Sequence, residues 1–178
     1  MLKFRPNPEK ALEVILWLSN KRAPLDFHSI LKLLFFADIY HMNAYGRPIV
    51  GDQYRALPYG PVPQTTYDVL KSEPLVLEEL DTVDPPFEVV GRYRVSPLRP
   101  CNTDKLSASD IEALTNAWDR YGHLGFNRRT DVSHEHPAYL KAVRTGALFM
   151  DYADFLEPDD DRERKLDDLR ESAHRIVI

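Results

Sequence analysis

Ala11, Leu12, Val14, Ile15, Leu16, Trp17 and Leu18 are apolar on nearly every side of a helix. A helix without a polar face belongs inside a core. Its start is written in the neighbouring residues: Asn7 is a good N-cap, Pro8 suits the first helical position, and Glu9 favours the positive end of the helix dipole. Asn20-Lys21-Arg22 ends it. A second apolar helix follows almost at once. Phe27, Ile30, Leu31, Leu34, Phe35, Ile39 and Met42 fall on helical spacing, Asp26 is placed to cap them, and Gly46 to stop them. A length of 178 residues suits one domain with a sizeable core around these two helices.

The remaining elements are read from caps and breakers. Ser107 followed three residues later by Asp110 resembles a capping box, with Ile111, Leu114, Trp118 and Tyr121 on one face and Gly122 as the stop. Helices are therefore expected over 8–20, 27–43, 63–72 and 108–121, with another from Ser133, read as its cap, to Arg144. Residues 47–63 change character: Ile49-Val50 and Tyr54-Arg55-Ala56 read as short strands around Gly51-Asp52. Pro58-Tyr59-Gly60-Pro61-Val62-Pro63 reads as a rigid turn, because its prolines lack donors and bias their predecessors away from helix. Residues 73–100 are irregular and proline-rich, with one strand over 87–95 expected to pair with the strand near Tyr54. Asp151 to Leu156 adds a turn, and the charged tail beyond Pro158 carries Leu166 and Leu169 as a thin apolar stripe. The expected fold is mainly α (α+β), a compact helical domain with a small antiparallel β element. Residues 1–150 form the domain, and residues 151–178 form a charged helical tail packed on it or extending from it. Leu12, Ile15, Leu16, Leu34, Phe35, Leu114 and Trp118 are the expected core.

The chemistry-bearing residues are sparse. The net charge of -5 disfavours unaided nucleic-acid binding, although Arg92, Arg94 and Arg99 with Tyr93 form a basic strip with an aromatic. Such arginines also guard an edge strand against aggregation. Lone Cys101 lacks both a disulfide partner and zinc-site spacing, which fits a reducing cytoplasm. Met1-Leu2-Lys3-Phe4-Arg5-Pro6 has no apolar signal core, and the apolar run from Leu31 to Ile39 is too short to span a membrane, so a cytoplasmic protein is expected. His134-Glu135-His136 is a candidate for metal chemistry, but histidines two apart do not share a helix face and no third ligand follows, so no metal and no cofactor are expected. Asp38 and His41 are spaced to touch on one helix without a linked nucleophile. Asp38 reads as a paired polar group, with Lys32 or a backbone donor as its partner. Gly122-His123-Leu124-Gly125 reads as a turn and not as a phosphate loop.

The order of motifs adds to this. Lys32-Leu33-Leu34-Phe35-Phe36-Ala37-Asp38 resembles the K-L-L-Y-x-A helix near the start of Panacea domains, and Gly46-Arg47-Pro48-Ile49 resembles the family's step out of that helix. Tyr54-Arg55-Ala56-Leu57-Pro58-Tyr59-Gly60-Pro61-Val62 is similar to the x-A-x-x-Y-G-P-V turn. Trp118-Asp119-Arg120-Tyr121-Gly122 and Val132-Ser133-His134-Glu135-His136-Pro137-Ala138-Tyr139 follow in order, with Ser133 and Tyr139 standing where the family has Thr and Trp. The resemblance to SocA-like, GepA-like phage-associated antitoxins implies a non-enzymatic protein that neutralises a co-encoded toxin by direct binding, or that delivers the toxin to an ATP-dependent protease such as ClpXP. It singles out Lys32, Asp38, Gly60, Pro61 and His134 as motif residues. Arg47, Tyr54, Arg55 and Tyr59 are the expected toxin contacts, because arginines and aromatics dominate interface hot spots and prolines stiffen the frame that presents them. The competing reading of Tyr59-Gly60-Pro61 is a turn that only lets the next helix pack. The alternative functions are a DNA-binding regulator or autorepressor and, further off, a hydrolase built on His134 or His41.

Overall fold

The computed structural model describes residues 2–173. In chain order the elements are α1 (Pro8–Lys21), β1 (Leu25–Asp26), α2 (Phe27–Tyr45), β2 (Tyr54–Leu57), β3 (Gly60–Pro63), α3 (Gln64–Leu70), α4 (Pro74–Glu79), β4 (Phe87–Val90) and β5 (Arg94–Pro97). They are followed by α5 (Ala108–Tyr121), α6 (Phe126–His134), α7 (Pro137–Thr145) and α8 (Arg162–Ala173). The fold is mainly α with small antiparallel sheets, as the caps and periodicity imply. Among the described residues no helix is long and apolar enough to cross a membrane.

α2 is the axis of the molecule. Asp26 caps it by accepting from the Ser29 N–H at 2.7 Å, and Gly46, in the left-handed region at φ 68°, closes it on the Met42 carbonyl. Residues 29–38 are buried without interruption, because α1, α5, α6 and the β2–β3 hairpin cover this helix from different sides. Leu12, Ile15, Leu16, Leu34, Phe35 and Leu114 all lie in this core. Trp118 does not lie fully inside it: the ring is half-buried beneath the Arg22 guanidinium, 5.4 Å from its centre. The Ser107–Asp110 capping box forms as a reciprocal pair.

The β elements depart from expectation. Residues 87–95 are not one strand: Gly91 at φ 68° turns the chain back, so β4 pairs with β5, and β1 completes the sheet in the order β1-β5-β4. The Tyr54 strand pairs with its own neighbour instead of the Tyr93 region. Leu57 faces Gly60 across the Pro58-Tyr59 turn, and this local closure forms without a long loop. The proline run is therefore half of a hairpin, and Pro61 and Pro63, which lack ladder donors, sit on a sheet of only two strands. Ile49-Val50 forms no strand.

The helix expected over 63–72 ends at Leu70, and the proline-rich stretch beyond contains α4. The helix expected from Ser133 is two helices. Ser133 lies in the last turn of α6, and His136 caps α7, its Nδ1 accepting from Ala138 at 3.3 Å with Pro137 at the first position. The turn beyond Asp151 is present over Tyr152–Phe155, and both of those aromatic residues are buried. On α8, Leu166 and Leu169 are buried as the apolar stripe suggests; residues 174–178 of the expected tail helix lie outside the described residues.

Candidate functional site

The tip of the β2–β3 hairpin rests on α2 and α6. From α2, Lys32 reaches the hairpin and donates from Nζ to the Pro61 carbonyl at 2.8 Å. Gly60, next in line, adopts φ 95°, and there a Cβ would stand 2.5 Å from Ser133 Oγ, 2.8 Å from Lys32 Cε and 3.4 Å from the His134 ring. Only glycine permits this approach. Lys32, Gly60, Pro61 and His134 thus meet in one contact set. Asp38, farther along α2, makes a second one: its carboxylate accepts from the Ile49 N–H at 2.7 Å and from the Tyr54 hydroxyl at 2.8 Å. The expected backbone donor is found, while Lys32 is engaged elsewhere. Burial is complete enough to push the Asp38 carboxyl up to about 7 despite those two donors.

Three of the expected surface residues are fastened into the fold. Tyr54 is a correction: it is 1% exposed, its ring packs on Phe35 and Phe155, and its hydroxyl serves Asp38. Arg47 donates to Asp110 at 2.9 Å and to the Ser107 hydroxyl at 3.0 Å. Arg55 is half-buried on β2, with its backbone bridged to Phe149. Tyr59 alone projects, 67% exposed at the hairpin tip, its ring 5.7 Å from that of Phe126 at the start of α6.

Beneath Tyr59 lies a cavity of about 460 Å³, walled by Leu31, Val62, Tyr67, Tyr93 and Phe126, with Lys32 in its lining. Its polar lining is made by Asp26, His28 and Lys32. His28 lines the cavity, stacks under Phe126 at 4.0 Å and meets Thr130 Oγ1 at 2.9 Å. Burial, then the charges of Lys32 and Arg129, push His28 down to about 4, so its ring is neutral. Behind it Arg129, 2% exposed, donates to Ser29 Oγ at 2.8 Å and to the Leu124 carbonyl, while its Nε has no acceptor among the described residues. Burial and then Arg129 lower the Lys32 ammonium to about 7.

Phe126, Tyr93, His28 and Arg129 carry no local sequence signal for this site. Phe126 and Arg129 lie on α6, His28 on α2 and Tyr93 in the turn between β4 and β5, and they converge only through the packing of α6 and that turn against α2. Arg99 pairs with Glu13 at 2.6 Å, which removes it from the basic strip. His134 stacks on Tyr139 at 4.4 Å, whereas His136 packs on Phe35 and Phe155, so the two rings serve different neighbours. Among the described residues no three His, Cys, Asp or Glu side chains are grouped to hold a metal ion. His41 does not meet Asp38: its Nδ1–H donates to the Arg47 carbonyl at 2.7 Å, and Nε2 lies 3.0 Å from Ser109 Oγ. Burial pushes the Cys101 thiol up to about 12, which keeps it protonated and poorly nucleophilic.

The family model described as antitoxin SocA-like, Panacea domain, matches residues 30–139. No curated protein and no solved structure matches the chain. The matched stretch covers more than half of the chain, from the first turn of α2 into α7, and it includes the hairpin, the Lys32 contact set and Phe126. The chain belongs to the SocA-like antitoxin, Panacea domain family.

Proposed function

We propose that this protein is a cytoplasmic, non-catalytic antitoxin that neutralises a partner toxin by direct binding, and that the toxin docks on the face presented by the β2–β3 tip. The carrying observation is Tyr59, 67% exposed and set against Phe126 on a braced frame. Large aromatics dominate hot spots. Here the hairpin is held from below by the Lys32–Pro61 hydrogen bond and the close Gly60 contact, so little order has to be created on binding. Family membership supports an antitoxin role in general. Delivery of the bound toxin to an ATP-dependent protease such as ClpXP would use the same first step.

The test is co-expression with the neighbouring gene. Growth should be restored and a complex should co-purify. Tyr59→Ala should weaken the complex by about 2 kcal/mol or more with an unchanged thermal midpoint, since the ring is mostly in solvent. Growth arrest that persists with no complex sinks the antitoxin reading; specific retention of the upstream promoter DNA by the protein alone would favour a regulator.

A further inference from the structure

We propose that the cavity beneath Tyr59 receives a segment of the partner toxin in which an apolar side chain stands next to a carboxylate, the side chain filling the aromatic walls and the carboxylate meeting Lys32. This rests on the antitoxin reading and specifies the chemistry that the docking face selects.

Lys32 is 1% exposed and has a single acceptor, the Pro61 carbonyl; two of its three N–H bonds are left without an acceptor among the described residues. It forms no ion pair among them. Arg129 behind it is likewise buried, with Nε open. The acid facing this place is Asp26, whose oxygens accept from Ser29 N–H at 2.7 Å and from Ser29 Oγ at 2.5 Å, the same hydroxyl that receives Arg129. That carboxylate lines the cavity but is taken up by Ser29 and pairs with neither cation, and His28 is neutral. An ammonium buried without a counter-ion is costly to the fold, which is why burial lowers Lys32 to about 7; a carboxylate that enters the cavity supplies the counter-ion and holds Lys32 protonated.

Shape supplies the second half. The ammonium sits in the lining of a mostly apolar cavity and not at the surface. A carboxylate passing over Tyr59 would meet it only across solvent. A carboxylate next to a side chain that inserts between Tyr59, Val62 and Phe126 is brought to it in a site where water is displaced and the attraction is strong. The pair of features, apolar and acidic, is thus recognised together.

The experiment is an amide-resolved NMR titration of the full chain with 3-phenylpropionate and with its uncharged twin, 3-phenylpropionamide. The acid should shift the Lys32, Gly60, Val62 and Phe126 amides saturably, and the amide should bind at least about tenfold more weakly. Lys32→Met should erase the difference, and Tyr59→Ala should weaken both probes. Equal affinity for the two probes, or no saturable shift, overturns the inference even where the Lys32 variant fails to fold. Adding the toxin should displace the acid. A toxin that binds while the acid stays in place overturns the cavity as its docking point and leaves the antitoxin reading standing; acid-selective binding with no toxin complex does the reverse.

Discussion

Removing the Asp110 carboxylate should unfasten three parts of the molecule at once. Asp110 is fully buried, yet it accepts from Lys10 on α1 at 2.9 Å, from Arg47 beyond α2 at 2.9 Å and from the Ser107 N–H at 2.9 Å, and lies 3.3 Å from His41. Asp110→Ala loses its half of the capping box, about 1 kcal/mol. It also leaves two cations without a counter-charge. Breaking a wholly buried pair costs about 3–5 kcal/mol, but the Lys10 and Arg47 side chains are 14% and 23% exposed and can partly rehydrate. A total loss of about 3–4 kcal/mol follows. The assay is a urea melt, read as a lower midpoint at unchanged slope. Arg47→Met should cost less in the Asp110→Ala background than alone, by about 1–2 kcal/mol of coupling. A loss under about 1 kcal/mol for Asp110→Ala would refute the idea that this network fastens α5. Burial pushes the carboxyl up, but the hydrogen bonds from Lys10 and Ser107 and the charges of Lys10 and Arg47 leave it below its ordinary value. Its share of stability is therefore present above the unfolded pKa and lost as pH falls through the folded one.

Three further outcomes follow from packing and charge. Leu34→Ala, at a fully buried position on α2, should cost about 2–5 kcal/mol in the same urea melt; a loss well under 1 kcal/mol would place Leu34 at the surface. Gly60→Ala must bear both φ 95° and a Cβ 2.5 Å from Ser133 Oγ, so a loss of about 2–4 kcal/mol by thermal melting is expected, and a neutral result would detach the hairpin from α6. Lys32, lowered from 10.5 to about 7 mainly by burial, is protonated in the unfolded chain but not in the folded one between those values. Stability should therefore rise across that interval, by up to about 5 kcal/mol, and Lys32→Met should flatten the rise in melts taken from pH 7 to 10.

What was legible in the sequence follows from where each stabilising partner lies. α1, α2 and α5 could be bounded because their caps, Asn7, Asp26 and Ser107, stand next to the helices they start, and because α1 and α2 bury apolar side chains on almost every face. α6 escaped because its buried face is Arg129, Thr130 and Ser133, a pattern that reads as solvated until His28, Ser29 and the hairpin tip are brought against it. Tyr54 and Tyr59 look alike as letters five apart. The strand carries the first onto Phe35 and Asp38, and the turn lifts the second into solvent; only the hairpin register, with Leu57 opposite Gly60, separates them. Arg47 was legible as an arginine but not as the partner of an aspartate on α5.

The buried charges divide by sign in a way that the sequence order hides. Asp38, Asp52 and Asp110 are each met by donors from within the chain: a backbone N–H and a hydroxyl for Asp38, three N–H groups and the Thr66 hydroxyl for Asp52, and two cations with a backbone N–H for Asp110. These carboxylates hold the loops and helix starts in place through donors of the chain itself. Lys32 and Arg129 differ, because part of their donor capacity is left open among the described residues, and Lys32 lines the cavity under Tyr59. A protein selected only for stability would lose little by replacing such cations with apolar residues of similar volume, since burying a charge without a partner works against folding. The place of Lys32 in the lining of an aromatic-rimmed cavity, on the same face as the exposed hairpin tip, makes that cost understandable as one recovered when an acidic partner arrives.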